Sequence, residues 1–179
     1  IKNGEKTPGK VVIYSTCYVN YNEPGIGMDL LKILDHNNIP YELVSKEKCC
    51  GMPKLELGDL QSVDANKQAN IPVLARYAKQ GYAILSAVPS CTLMFKQELP
   101  LMYPDEADVQ AVKEAMWDPF EYLMVKAMST MKDGSKPDHI SSDCPLGGHH
   151  LAQGFEAQGL PVPELNHPLT LVRKAYGLK

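Results

Sequence analysis

Short apolar runs rich in β-branched residues alternate with segments of helical periodicity, and this alternation constrains the fold more than any other feature. The runs cover residues 10–15, 40–44 and 82–88, and amphipathic helices are predicted at 28–36 and 60–80. Strands that alternate with helices form βαβ units, whose strands lie parallel and whose crossovers are right-handed. The sequence therefore predicts an α/β fold with a mainly parallel sheet.

The remaining segments complete this prediction. Residues 17–27 are expected to form a loop in which Gly25 and Gly27 serve a turn, and the helix over 60–80 is expected to break at Pro72. The other predicted elements are a helix capped by Ser90 and stopped by Pro100, a helix over 105–117, a helix begun by Asp118-Pro119 and reaching Met131, a strand over 138–142, and a closing helix capped by Asn166 or His167 that ends before Gly177.

A cysteine follows each predicted strand. Cys17 follows the first, the adjacent Cys49 and Cys50 follow the second, Cys91 follows the third and Cys144 follows the strand over 138–142. In a parallel sheet all carboxyl ends meet at one rim, where ligands commonly bind. One such cysteine would be an ordinary packing residue. Five that converge on one rim, two of them adjacent, point to a shared site.

The chemistry of these thiols leaves several kinds of site open. A disulfide between adjacent cysteines is strained, and an odd count of five excludes a fully paired framework, which indicates a reducing, cytoplasmic compartment. Dispersed thiolates suit soft metals and iron–sulfur clusters. A structural zinc site more often shows a close C-x2-4-C pair, which is absent here. A redox dithiol is the least favoured, because the adjacent pair does not imitate C-x-x-C.

Composition excludes some other classes of protein. With 44% hydrophobic and 22% charged residues, the chain has the composition of an ordinary soluble globular protein. A net charge of −3 and the lack of any Lys/Arg run longer than two argue against nucleic acid as the main partner. No apolar stretch approaches the length of a membrane-spanning helix, so none is expected.

The cysteine segments resemble a known family. Residues 15–27 (STCYVNYNEPGIG), 49–59 (CCGMPKLELGD) and 89–104 (PSCTLMFKQELPLMYP) are similar to the cysteine-rich CCG domain of iron–sulfur oxidoreductases. That domain occurs in the B subunit of heterodisulfide reductase and, with closer likeness here, in the C subunit of anaerobic glycerol-3-phosphate dehydrogenase. Residues 141–154 and 166–178 share the likeness to the latter type.

The resemblance implies Rossmann-like βαβ halves and an iron–sulfur cluster, of the [4Fe–4S] type, with Cys17, Cys49, Cys50 and Cys91 as its ligands and Cys144 as a weaker candidate metal ligand. It implies an oxidoreductase component without a complete active site of its own. Such a component would transfer electrons between a flavin dehydrogenase subunit and a quinone- or thiol-linked acceptor, at the inner face of the membrane through its partners. The alternative is a non-redox zinc-binding or assembly module that uses the same cysteines.

The chain also departs from the family pattern. Val88 stands where a further cysteine is expected before Cys91, and Gly147 stands where a companion of Cys144 is expected, so Cys144 is predicted to be a spectator or remnant ligand. Residues 1–131 are interpreted as a first CCG-type domain with trailing helices, 132–137 as a linker or a junction of missing residues, and 138–179 as the remnant of a second CCG-type half. His149 and His150 could add a nitrogen ligand, although solvent-facing histidines are the favoured interpretation. Met116, Met124, Met128 and Met131 are expected in the core.

Overall fold

A computed structural model of the chain describes residues 10–122, 139–140 and 164–179. Its main sheet has four strands, all parallel, in the order β2-β1-β3-β4. The strands are β1 Val11–Ile13, β2 Tyr41–Leu43, β3 Ala83–Leu85 and β4 Met116–Trp117. A second, two-stranded parallel sheet pairs β5 His139–Ile140 with β6 Glu164–Leu165. The predicted α/β class with a parallel sheet is confirmed.

Helices connect the parallel strands, as the alternating pattern requires. The helices in the described part of the chain are α1 Thr16–Tyr21, α2 Pro24–His36, α3 Met52–Glu56, α4 Leu60–Lys79, α5 Pro89–Leu93, α6 Leu99–Met102, α7 Ala107–Ala115 and α8 Pro168–Ala175. A π-helical stretch, Met94–Glu98, joins α5 to α6. Asp118 caps a further helical start, because its Oδ1 accepts hydrogen bonds from the backbone N–H groups of Phe120 and Glu121 at 2.8 and 3.2 Å.

The two central strands form the middle of the core. Every residue of β1 and β3 is buried, whereas the edge strand β2 is partly exposed. A strand that is covered on both faces has no polar face, which is why these two strands appear in the sequence as unbroken apolar runs. None of the helices that the structure describes combines the length and apolar character needed to span a membrane.

The predicted loop over residues 17–27 is wrong, because α1 and α2 occupy most of it. Pro24 takes the first position of α2, where its missing N–H costs nothing. Gly27 then lies at the contact between the two helices, where a Cβ atom would stand 2.7 Å from Cγ1 of Val19. Gly27 therefore allows α1 and α2 to pack closely, and it does not form a turn.

Prolines do not end the helices where the sequence predicted. Helix α4 continues through Pro72, with Ile71 and Leu74 buried on its inner face, so packing outweighs the lost hydrogen bond. The helix through Cys91 also continues past Pro100, because the wider π-helical turn before it lets Leu99 bond back to Met94. Its N-cap is Val88, with Pro89 at the first position, and not Ser90.

The predicted helix over residues 105–117 is also shorter than expected. Helix α7 ends at Ala115, and Met116 and Trp117 form β4 on the edge of the sheet beside β3. Met116 is buried, as expected of a core residue. The other three methionines of that prediction lie outside the described residues.

Helix α8 packs against α2, far away in the sequence. Leu169 of α8 is fully buried, and the Thr170 hydroxyl donates a 2.5 Å hydrogen bond to Asp29 of α2. The Arg173 Nε lies 2.7 Å from the same carboxylate as an ion pair. The predicted cap is confirmed at His167, whose Nδ1 accepts from the backbone N–H of Leu169. The end of the chain is thus part of the core built by its beginning.

Candidate cysteine site at the sheet rim

Three connections that leave the carboxyl ends of neighbouring strands carry the candidate cysteines. Cys17 lies in the first turn of α1, directly after β1. Cys49 and Cys50 end the loop between β2 and α3, and Cys91 lies in α5 after β3. The four cysteines that the structure describes are therefore on the predicted rim. Cys144, His149 and His150 lie outside the described residues.

The four sulfur atoms meet as two pairs. The Sγ atoms of Cys17 and Cys49 are 3.9 Å apart, and those of Cys50 and Cys91 are 3.2 Å apart. All four are free thiols; Cys50 and Cys91 are buried, Cys49 is half-buried and Cys17 is exposed. The site thus runs from an inner pair in the core to an outer pair at the surface.

The hydrogen bond between the two thiols of the inner pair shifts their pKa values in opposite directions. The Cys91 thiol donates to Cys50, and this bond, helped by the backbone N–H of Met52, lowers the pKa of Cys50 to about 7 although burial opposes the shift. The same bond raises the pKa of Cys91, as do burial and the charges of the other three cysteines. Cys91 is therefore held as the neutral thiol that donates this bond.

The outer pair contains a similar thiol–thiol contact, from Cys17 to Cys49, but the pKa of Cys49 is shifted upward. Burial raises the pKa of Cys49 to about 11, while the backbone N–H of Gly51 acts in the opposite direction. Such a thiol is protonated at neutral pH unless a metal binds it, because coordination removes its proton.

Gly51 has the backbone conformation that the turn after the two cysteines needs. Its φ of +99° lies in the left-handed region, and it serves as the N-cap of α3. A residue with a Cβ atom would be strained there. Glycine after Cys49-Cys50 therefore lets the chain turn into α3 directly behind the sulfurs.

Three side chains outside the cysteine set fix the loop that carries Cys49. The Tyr14 hydroxyl donates to the backbone carbonyl of Lys48, and Asn70 of α4 bonds to both Lys48 and Cys49. The Glu47 carboxylate bonds to the start of α1. Burial and then the nearby Cys50, Cys91, Glu47 and Cys49 raise the pKa of Tyr14 above its usual range, so it remains a hydrogen-bond donor.

Sequence reasoning did not find these three residues. The one available signal is Asn70, because asparagine is disfavoured inside helices and yet lies deep in the twenty-residue α4. Nothing in the sequence distinguishes Glu47 or Tyr14 from surrounding residues of the same type.

Within the described part of the chain, no group of three or more His, Cys, Asp or Glu side chains is arranged around a single point as a metal ion requires. In an iron–sulfur centre the cysteine thiolates are distributed over several iron atoms, whereas a zinc ion gathers its ligands around one point.

The comparisons with known proteins agree with one another. Residues 11–96, which include all four described cysteines, match the family model of the cysteine-rich domain called CCG. The chain is 30% identical over 92 residues to the C subunit of anaerobic glycerol-3-phosphate dehydrogenase from Escherichia coli, covering 51% of this chain and 23% of that protein. It is 25% identical over 138 residues to the B subunit of fumarate reductase (CoM/CoB) from Methanothermobacter marburgensis, covering 76% of this chain and 27% of that protein.

A third relative is matched over a greater share of its length. Lactate utilization protein A of Macrococcus caseolyticus is 25% identical over 168 residues, which is 87% of this chain and 66% of that protein. The chain spans about a quarter of the first two relatives. No solved structure matches the chain.

Proposed function

Since residues 11–96 belong to the cysteine-rich CCG family, we propose that the chain is an iron–sulfur electron-transfer subunit, or a domain of one, in a dehydrogenase or heterodisulfide-reductase-like complex. Cys17, Cys49, Cys50 and Cys91 are the proposed cluster ligands, and [4Fe–4S] is the proposed cluster type. When bound, the cluster would supply reversible one-electron storage.

The observation that carries this proposal is the meeting of four free thiols from three strand–helix connections at one rim. Their two pairs, at 3.9 and 3.2 Å, bring together residues that lie 32 and 41 positions apart in the sequence. Four cysteines are the usual ligand set of a [4Fe–4S] centre. Cluster binding would move the sulfurs of each pair apart, since each thiolate would then bind its own iron.

The protein's own contribution is to hold this ligand set half inside and half outside the core. Cys50 and Cys91 would bind the buried side, from which water is excluded, and Cys17 would bind the exposed side. The low pKa of Cys50 makes it the thiol that most readily gives a thiolate at neutral pH. The alternative zinc site would use the same four cysteines, gathered around one ion.

The relatives support a place in a larger assembly. Two of them are named as subunits, one of a dehydrogenase and one of a reductase. The proposed partners are a flavin dehydrogenase subunit and a quinone- or thiol-linked acceptor, with Cys17 on the side open to them. A cytoplasmic location, on the inner face of the membrane through these partners, is consistent with four free thiols.

Anaerobic reconstitution with iron and sulfide tests the proposal. We expect about four irons and four acid-labile sulfides per chain, with a broad visible absorption that bleaches on reduction. Cys50→Ser should lose most of the iron. Cys144→Ser is the matched control and should retain nearly all of it.

Three results would contradict the proposal or its set of ligands. Binding of zinc without labile sulfide would support the alternative module, and failure to bind either iron or zinc would exclude a metal function for the four cysteines. Equal iron loss in Cys144→Ser and Cys50→Ser would show that Cys144 is a ligand and that the proposed set of four is incomplete.

A further inference from the structure

Asn70 holds the backbone on which Cys49 is carried. Its side chain is 3% exposed and lies within α4. Oδ1 accepts from the Lys48 backbone N–H at 2.9 Å, and Nδ2 donates to the carbonyls of Lys48 and Cys49 at 3.2 and 3.0 Å. One buried amide thereby replaces the backbone partners that a strand or helix would give this loop.

Glu47 connects the same loop to the helix that carries Cys17. One carboxylate oxygen accepts from the backbone N–H of Ser15 at 2.8 Å, and the other accepts from Asn20 Nδ2 at 2.8 Å. The carboxylate also bonds to the backbone of Thr16. Glu47, two positions before Cys49, is therefore hydrogen-bonded to the backbone immediately before Cys17.

The backbone that Glu47 grips is strained. Thr16 has φ = +72°, which is unfavourable for a β-branched residue, and it is completely buried. Its hydroxyl accepts from the Val19 backbone N–H at 3.1 Å. Such a conformation persists only where neighbouring groups impose it, and it commonly marks a position where geometry is required. Here it determines where α1 begins and thus where Cys17 stands.

From these contacts we propose that Glu47 and Asn70 are positioning residues that keep the Sγ atoms of Cys17 and Cys49 close together as the outer half of the ligand set. We call this placement of the two sulfurs the register. Glu47 joins the two segments to each other, and Asn70 fixes one of them to the core helix α4. The significance of the register for a cluster rests on the proposed function. The register itself is a property of the metal-free protein and can be measured there.

Disulfide formation measures the register directly. The reduced, metal-free full chain is given a short pulse of diamide, an azo oxidant that takes up the two electrons and two protons released when two thiols join. Quenching by alkylation and peptide mapping by mass spectrometry then quantify the Cys17–Cys49 link. The Cys50–Cys91 link in the same sample is the internal reference, because Glu47 contacts neither of these cysteines, and Asn70 reaches the Cys49 carbonyl but not the side chain of Cys50 or Cys91.

Glu47→Ala and Asn70→Ala should each slow formation of the Cys17–Cys49 link about tenfold relative to the reference, through loss of two or three hydrogen bonds. Glu47→Gln should stay within about threefold of the wild type, since an amide oxygen still accepts from Ser15. Gln and Ala remove the same charge, so their difference reports the hydrogen bonds and packing of the side chain and not its charge. Asn37→Ala, which removes an asparagine–carbonyl bond at the end of α2, is the control and should change neither link.

An unchanged ratio of the two links in Glu47→Ala and Asn70→Ala would overturn the proposal. Equal slowing of both links would also overturn it, because it would indicate general loosening of the fold. If Asn70→Ala does not fold, the two Glu47 variants still test the proposal. Formation of the Cys17–Cys49 link as slowly in Glu47→Gln as in Glu47→Ala would refute the hydrogen-bond role of Glu47.

In reconstituted protein, Glu47→Ala and Asn70→Ala should bind less iron and show an altered electron paramagnetic resonance spectrum, with Glu47→Gln like the wild type. Wild-type protein that takes up no cluster would refute the proposed function, while the ratio of the two links would still test the positioning role.

Discussion

At the scale of single residues, the inner cysteine pair has a defined donor and a defined acceptor. Cys91 donates to Cys50, and this bond is the largest influence that lowers the pKa of Cys50 from 9.0 to about 7. Burial acts in the opposite direction. The acidity of Cys50 therefore depends most on one neighbour.

Removing that donor should raise the pKa of Cys50. In metal-free Cys91→Ala we expect the step in thiolate ultraviolet absorbance near pH 7 to move upward towards pH 9, because burial then disfavours the charged form and only the backbone N–H of Met52 and weaker contacts oppose it. Cys91→Ser is the matched control, since a hydroxyl at this position still donates, and its step should stay near that of the wild type. Cys50→Ser should abolish the step. A step that persists near pH 7 in Cys91→Ala would assign the low pKa to another cause.

At the scale of elements, the contact between α1 and α2 places Cys17. The two helices approach so closely at Gly27 that a Cβ atom would stand 2.7 Å from the Val19 side chain, whereas the same atom at Gly25 would meet nothing within 4 Å. Gly27 therefore has no room for a Cβ atom, whereas Gly25, in the same helical turn, has room for one.

Alanine at these glycines should have opposite effects on stability. Gly27→Ala should lower the free energy of unfolding by about 1 to 3 kcal/mol through overpacking. Gly25→Ala, the matched control, should raise it by about 0.5 to 1 kcal/mol, because alanine loses less backbone entropy in a helix. Urea unfolding measures both. Val19→Ala combined with Gly27→Ala should be less damaging than the sum of the single changes, and simple additivity would show that the two side chains do not compete for space.

The same elements show how far a sequence can predict this site. Strand periodicity was sufficient to predict the parallel sheet, and the position of the cysteines after its strands was sufficient to place Cys17, Cys49, Cys50 and Cys91 at one rim. The helical form of residues 16–27 was missed because Pro24 and the two glycines usually indicate a turn, while here they serve a helix start and a close contact.

The positioning roles of Glu47 and Asn70 depend on contacts across 32 and 22 residues, which no local pattern records. The pairing of the sulfurs depends in the same way on how three separate connections pack.

At the scale of the whole molecule, a partly buried ion pair joins the last helix to the second. The side chains of Arg173 and Asp29 are 18% and 11% exposed and 2.7 Å apart, and Thr170 adds a hydrogen bond to the same carboxylate. Removing one partner would leave the other charge largely desolvated.

Asp29→Ala should therefore lower the free energy of unfolding by about 2 to 3 kcal/mol, since the pair retains some solvent contact. Lys79→Ala breaks an ion pair with Asp108 of similar length, 2.6 Å, whose side chains are 61% and 45% exposed, and should cost less than about 1 kcal/mol. Urea unfolding of both variants makes the comparison. Equal losses would mean that α8 contributes little to the stability of the unit around α2.

The packing of α8 against α2 also has a consequence during protein synthesis. The Thr170–Asp29 contact spans 141 positions, so the face of α2 that receives α8 emerges from the ribosome long before its cover is made. Contacts of such high sequence separation slow folding, and the uncovered face is open to aggregation or to a chaperone in the meantime. All four rim cysteines precede α8 in the sequence, so the nascent chain presents their thiols to oxidants, metal ions and assembly factors before the fold that orders them is closed.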